Sequence, residues 1–126
     1  MSDGQRVLVT ALAETPLEGV SEHVHLAPMS RPEVGALRPH DVLIRVRSAA
    51  VSWVDLIMLS GQYQHMPTLP YSPGLEYSGV VDWVGAAVDK VGVGDRVFVA
   101  CLDAGPRSSG DYQSYGGFAS YAVAPA

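Results

Sequence analysis

The chain has 126 residues, of which nearly half are apolar and 17% are charged, so the composition indicates one folded domain with a sizeable core and excludes a disordered chain. Its net charge of -5 argues against a nucleic-acid backbone or an anionic membrane surface as the main partner. No apolar run reaches the roughly 20 residues that a membrane span needs, the first residues do not have the pattern of a secretory signal, and the single cysteine, Cys101, allows no internal disulfide. We therefore expect a cytoplasmic protein.

Short apolar runs separated by thirteen glycines and nine prolines predict a mainly β fold with many turns. Residues 6–14 and 20–28 are predicted as the first two strands, and residues 42–51 form the clearest strand. The side chains of that third strand alternate between two faces, with Val42, Ile44, Val46 and Ser48 on one and Leu43, Arg45 and Arg47 on the other.

A change of period after this strand predicts a short helix. Val54 and Ile57 have helical spacing, Ser52 is a candidate N-cap, and Asp55 lies in the first turn, where an acidic side chain is favourable. Gly61 is placed to end the helix.

The second half of the sequence predicts loops and strands in alternation. In order, these are a proline-rich loop over residues 62–74, a strand over 76–88, a turn and strand over 90–101, a long polar loop over 102–117 and a last strand over 118–126. No repeat and no linker to a second domain is visible.

Several glycines have predicted roles in the backbone. Gly92 and Gly94 are expected to take positive φ in a tight turn, and Asp95 is expected to accept hydrogen bonds from amides of that turn. Gly79 and Gly85 interrupt a strand, which favours a bulge or a close approach of two backbone segments.

Four stretches of the sequence, in this order, resemble the N-terminal GroES-like domain of the medium-chain dehydrogenase/reductases. They are VRSAAVSWVDLIMLSGQY, PTLPYSPGLEYSGVVDWVG, VDKVGVGDRVFV and GGFASYAVAPA, and together they cover about residues 37–126. The combination of G-x-E-x-x-G-x-V with a later V-G-x-G-D-R-V is highly specific. The greatest likeness is to the zinc-free quinone oxidoreductase branch, with its enoyl reductase relatives. The resemblance implies a GroES-like, partly open β-barrel with short helices and long loops.

The resemblance also bears on metal binding. Zinc-binding members of the family have a cysteine at the position of Ser52 and a histidine at the position of Leu75, so only Glu76 remains of that set. Catalytic zinc needs three thiolate, imidazole or carboxylate ligands, and we therefore expect no zinc. His23 and His25 would share one face of a strand, but we interpret them as solvated surface residues rather than as metal ligands.

The same resemblance implies roles for five residues, and each has a structural alternative. Tyr63 matches a tyrosine near the nicotinamide that can protonate or hydrogen-bond the substrate, or it is a packed aromatic. Ser52 contacts the cofactor ribose or the substrate, or only caps the helix. Trp53 lines the substrate pocket or anchors the helix. Leu75 lines the same pocket, and Gly117 lies against the cofactor or simply forms a turn.

The implied function is hydride transfer from NADPH to a conjugated carbonyl by a zinc-independent quinone or enone reductase, with a small hydrophobic carbonyl compound as substrate. Residues 1–126 would be its substrate-side, GroES-like domain. No G-x-G-x-x-G follows a strand and opens a helix, so the Rossmann cofactor domain is absent from this region and the isolated chain is expected to be inactive. A homodimer or other self-association would cover its exposed apolar surface. The alternative is a free-standing GroES-like domain that binds a small hydrophobic ligand or a partner protein, or catalyses a non-redox step.

Overall fold

The chain folds mainly into β-strands, in a computed structural model that describes residues 4–100 and 112–126. The elements in chain order are β1 (Gly4–Val9), α1 (Pro16–Glu22), β2 (Val24–Met29), a 3-10 helix (Val34–Ala36), β3 (Asp41–Ala50), α2 (Trp53–Ile57), a second 3-10 helix (Met58–Ser60), β4 (Glu76–Val84), β5 (Arg96–Val99) and β6 (Tyr121–Pro125). None of the helices in these ranges is long and apolar enough to cross a membrane.

Two antiparallel sheets organise the fold. β1 pairs with β2, and the other strands form a four-stranded sheet in the order β5-β4-β3-β6. The backbone joins the two sheets where the Val7 amide donates to the Phe118 carbonyl at 2.9 Å and the Ser120 amide donates to the Gln5 carbonyl at 2.8 Å. The described strands do not close into a barrel. This is the partly open GroES-like arrangement that the sequence predicts.

The start of β3 lies in the core on both of its faces. Val42 and Ile44 pack in one cluster with Tyr77 and neighbours from β6. Leu43, on the opposite face, packs in a second cluster that includes Tyr121. The predicted alternation is confirmed for the start of this strand, and Arg45 and Arg47 are exposed as expected. It is wrong beyond Val46, because a β-bulge at Arg47 shifts the register.

The region predicted as the second strand contains a helix that sequence reasoning missed. Residues 16–22 form α1, and β2 begins only at Val24, so the prediction of a strand over 20–28 is wrong in its first part. The physical reason is a strong helix start: the Thr15 hydroxyl accepts a hydrogen bond from the Glu18 amide at 3.3 Å, and Pro16 occupies the first helical turn. The first strand is also shorter than predicted, ending at Val9.

Two turns follow their predicted chemistry except at one glycine. Gly61 ends the second 3-10 helix with φ of 74°, and Gly94 has φ of 93° in the turn before β5. The Asp95 carboxylate accepts from the Gly92 amide at 2.9 Å, which closes that turn. Gly92 itself does not have positive φ, so that expectation is wrong; the left-handed conformation at Gly94 is the one that reverses the chain there.

A β-bulge lies where β3 passes Gly79 of β4. The pairing runs from Val46↔Gly79 to Ser48↔Ser78, which leaves Arg47 as the extra residue. A Cβ atom at Gly79 would overlap the Arg45 carbonyl, so the close backbone approach predicted for this glycine is confirmed.

Candidate active site

The site begins at the N-terminus of α2, where Ser52 and Asp55 are joined. The Asp55 Oδ2 atom accepts a hydrogen bond from the Ser52 backbone N–H at 2.8 Å and another from the Ser52 hydroxyl at 3.1 Å. The predicted cap and first-turn acid are therefore confirmed. Because the serine hydroxyl is engaged with this carboxylate, its position at the start of the helix is fixed.

Asp55 is nevertheless an unusual helix acid because it is buried, with 5% of its surface exposed. Its Oδ1 atom has no hydrogen-bond partner within residues 4–100 and 112–126. Burial raises the pKa of this carboxyl above its ordinary value, and Glu76 raises it further. The hydrogen bonds from Ser52 and the nearby Gly74 backbone oppose that rise in pKa without cancelling it.

Tyr71 is the second buried polar group of the site. It is 1% exposed, and its hydroxyl has no hydrogen-bond partner in the part of the chain that the structure describes. Burial and the nearby Asp55 carboxylate raise the pKa of its phenol to about 12. The neighbouring Ser72 hydroxyl is likewise buried without a partner among the described residues. Polar atoms of this kind are uncommon in folded proteins, where most buried polar groups are paired.

An apolar cluster brings Tyr63 and Leu75 together. Leu75 is buried in the cluster with Val9, Met58 and Tyr71, and the half-buried ring of Tyr63 packs against the same group. The rings of Tyr63 and His65 also meet edge to face, with 5.7 Å between their centroids. Two of the residues predicted for the substrate pocket therefore do lie in one cluster.

Gly117 is attached to the same region through Gly74. The Gly117 amide donates to the Gly74 carbonyl at 2.9 Å, and the Phe118 amide donates to the Pro73 carbonyl at 3.1 Å. A Cβ atom at Gly117 would overlap the ring of Tyr77. The close approach that requires glycine at position 117 is therefore an approach to the Tyr77 side chain of the same protein.

Trp53 is set apart from the buried cluster, since 78% of its surface is exposed at the start of α2. Val51, two residues earlier, is exposed to a similar extent. Neither residue is among those that line the cleft beside β5 or the cleft between the two sheets. Both are sequence neighbours of the half-buried Ser52.

The donor atoms present do not suit a zinc ion. Leu75 offers no ligand atom and Ser52 offers a neutral hydroxyl, so Glu76 is the one conventional ligand among the three positions. Across residues 4–100 and 112–126, histidine, cysteine, aspartate and glutamate side chains form no group of three that could hold a metal ion. Zinc independence remains a prediction, which elemental analysis can test.

The class of the domain follows from comparison with known families. The alcohol dehydrogenase GroES-like domain family matches residues 38–126. The chain therefore belongs to this domain family of the medium-chain dehydrogenase/reductase superfamily, and within it to the quinone oxidoreductase branch.

Relatives of known name support that branch. A quinone oxidoreductase from Lama guanicoe is 39% identical over 85 residues, which cover 68% of this chain and 22% of the relative. A quinone oxidoreductase of Pseudomonas syringae pv. Tomato DC3000 has a TM-score of 0.73 at 28% identity, covering 97% of this chain and 31% of that one. A mycobacterial protein solved in complex with NADPH has a TM-score of 0.70 at 28% identity, covering 98% and 32%. The chain thus spans about a quarter or less of its curated relatives and about a third of the solved chains.

Sequence reasoning missed one member of the site, and one of its predictions falls on residues that are not described. Tyr71 was not singled out, because its burial and its proximity to Asp55 depend on a tertiary contact that no sequence spacing reveals. The long loop predicted over 102–117, and Cys101 before it, lie largely outside the described residues. The roles predicted for Ser52, Trp53, Tyr63, Leu75 and Gly117 remain predictions.

Proposed function

We propose that this domain is the substrate-side part of a zinc-independent, NADPH-dependent reductase of quinones or conjugated enones. The observation that carries the proposal is the chemistry of two residues at positions where the zinc-binding pattern has ligands. Ser52 caps α2 and is bonded to Asp55, and Leu75 is buried in an apolar cluster, so neither offers a thiolate, imidazole or carboxylate. Membership of the quinone oxidoreductase branch supports the same reaction class.

NADPH would supply the hydride when it is bound, so the tasks left to this domain are orientation and charge stabilisation. The exposed apolar surface of Val51 and Trp53 offers a flat contact for a planar ring. The Tyr63 phenol would donate a hydrogen bond, or a proton, to the carbonyl oxygen as negative charge develops there. Its ring is held by packing against the Leu75 cluster, which favours one orientation of the hydroxyl.

The test compares Tyr63→Phe with wild type in the protein that carries both this domain and a cofactor domain. Reduction of a conjugated enone by NADPH should fall about 100-fold, the usual size of a lost proton-transfer role, while the melting temperature stays unchanged. If wild type reduces neither quinones nor enones with NADPH, the proposed activity is wrong. If wild type is active and the variant equally so, only the role of Tyr63 is wrong.

We further infer a cytoplasmic, self-associating protein. The single cysteine suits a reducing compartment. Large apolar side chains stay exposed on several elements, among them Leu17, Val51, Trp53, Val93 and Phe98, and apolar surface of this extent favours partners. Sedimentation of the purified protein tests the second inference, since a monomer at all concentrations would contradict it.

A further inference from the structure

A cleft of about 420 Å³ lies between the two sheets, away from the candidate active site. β1, β2, β3 and the segment before β6 all contribute to it, and its lining includes Arg6, Leu26, Val46, Arg47 and Phe118. Its volume is within the range of small-molecule sites. Its lining is mostly apolar, and the described residues that line it include two arginines but no acidic side chain.

The β-bulge described above places one of these arginines. Arg47 is the extra residue between the Val46↔Gly79 and Ser48↔Ser78 pairs. A bulge breaks the strict alternation of a strand and re-aims the side chain of the extra residue. As a result, Val46 and Arg47, which neighbour each other in sequence, both line the cleft, whereas Arg45 does not.

The second arginine, Arg6, is partly buried. Its Nε atom is buried and has no hydrogen-bond partner among the described residues. Neither Arg6 nor Arg47 has an ion-pair partner within residues 4–100 and 112–126, in contrast to Arg31, which pairs with Asp82. A partly buried guanidinium normally finds an anion, because burying an unpaired charge is unfavourable.

We propose that this cleft binds a small amphiphilic carboxylate, with Arg6 and Arg47 holding the carboxylate and the apolar lining holding a short hydrocarbon tail. A guanidinium presents parallel N–H donors that match the two oxygens of a carboxylate. Leu26, which is 72% exposed at the edge of the cleft, supplies apolar surface for the tail. The site is independent of the proposed reductase activity, and neither arginine belongs to the candidate active site.

The experiment measures octanoate binding by calorimetry without NADPH. Octanol, an uncharged analogue of the same chain length, is the control ligand. Arg47→Gln should weaken octanoate binding about tenfold or more, since it removes a charge-assisted interaction, and should leave any octanol binding unchanged. Arg6→Gln should act in the same direction. Arg45→Gln is the matched control: it removes the same charge from an exposed residue of the same strand that lies outside the cleft. Octanoate binding should also weaken as salt is raised.

Amide NMR on the wild type supplies a second measurement that does not depend on a variant folding. Octanoate should shift the amide signals of residues 5–7, 46–49 and 118–120, which line the cleft. Equal affinity for octanol, shifts elsewhere, no binding at millimolar octanoate, or an equal loss in Arg45→Gln would each overturn the proposal.

Discussion

Asp55 holds Ser52 with one carboxylate oxygen and leaves the other without a described partner. Oδ2 accepts both hydrogen bonds from Ser52, at 2.8 and 3.1 Å, while Oδ1 is buried. The consequence is a buried carboxyl group whose pKa is raised.

The first prediction follows from that raised pKa. A carboxyl whose folded pKa exceeds its unfolded value of 3.8 stabilises the fold fully below pH 3.8 and loses this contribution as pH rises through the folded pKa. The difference in free energy of unfolding between wild type and Asp55→Asn should therefore move in favour of the variant as pH rises from below 3.8 to neutral. Chemical denaturation at each pH measures it.

Asp89→Asn is the control for that experiment, because Asp89 is exposed and the substitution removes the same charge. A difference for Asp55→Asn that follows the control, or one that moves in favour of wild type with rising pH, would contradict the assignment.

The second prediction concerns Tyr71. Replacing a buried hydroxyl that has no partner by a hydrogen atom removes a desolvation penalty, so Tyr71→Phe should raise the free energy of unfolding by about 1 kcal/mol. In an ultraviolet titration, the variant should lack one tyrosine that ionises near pH 12 in the wild type. Because that pKa is raised from 10.0, the free energy of unfolding of the wild type should fall as pH rises from 10 to 12, and this fall should be smaller in Tyr71→Phe. A destabilised Tyr71→Phe would instead indicate that the hydroxyl has a partner, such as a bound water.

A third prediction tests the close contact at Gly117. Gly117→Ala places a methyl group against the Tyr77 ring and should lower the free energy of unfolding by roughly 1–3 kcal/mol. Gly35→Ala is the matched control, because nothing lies within 4 Å of the added carbon. Thermal and chemical unfolding of both variants provide the comparison, and equal stability of the two would show that Gly117 is not required by packing.

The fourth prediction concerns metal content. Elemental analysis of the dialysed protein should find no stoichiometric zinc, and a chelator should leave the melting temperature unchanged, because Ser52 and Leu75 provide no ligand pair. One tightly bound zinc ion per chain would disprove zinc independence.

The sequence predicts the local features of this protein better than it predicts contacts between residues that are distant in sequence. The cap at Ser52, the helix stop at Gly61 and the alternation at the start of β3 follow from residue chemistry over a few positions, and all three are confirmed. The β-bulge that ends this alternation at Arg47 depends on the pairing with β4. The start of α1 also has a local signal, in Thr15 and Pro16. An apparent alternation of apolar and polar residues over 20–28 favoured a strand there instead.

The remaining features depend on residues that are distant in sequence. The close packing of Gly117 against the Tyr77 ring arises only after β4 and the segment before β6 meet. The burial of Tyr71 beside Asp55 depends likewise on the loop folding back over α2. Composition and spacing do not reveal such long-range contacts. The packing of Gly117 and the burial of Tyr71 are therefore visible only in the structure.

The position of β6 has a consequence for how the chain folds. β6 pairs with β3 from Asp41↔Pro125 to Arg45↔Tyr121. These two strands are far apart in sequence, so β3 cannot complete its pairing until β6 has been synthesised. Closing so long a loop is entropically unfavourable, which slows the assembly of the sheet. During synthesis, a nascent chain that has emerged only as far as β5 exposes one edge of β3 with its amides and carbonyls unpaired. Unpaired edges promote aggregation, so we expect a chaperone to assist this domain at that stage of translation.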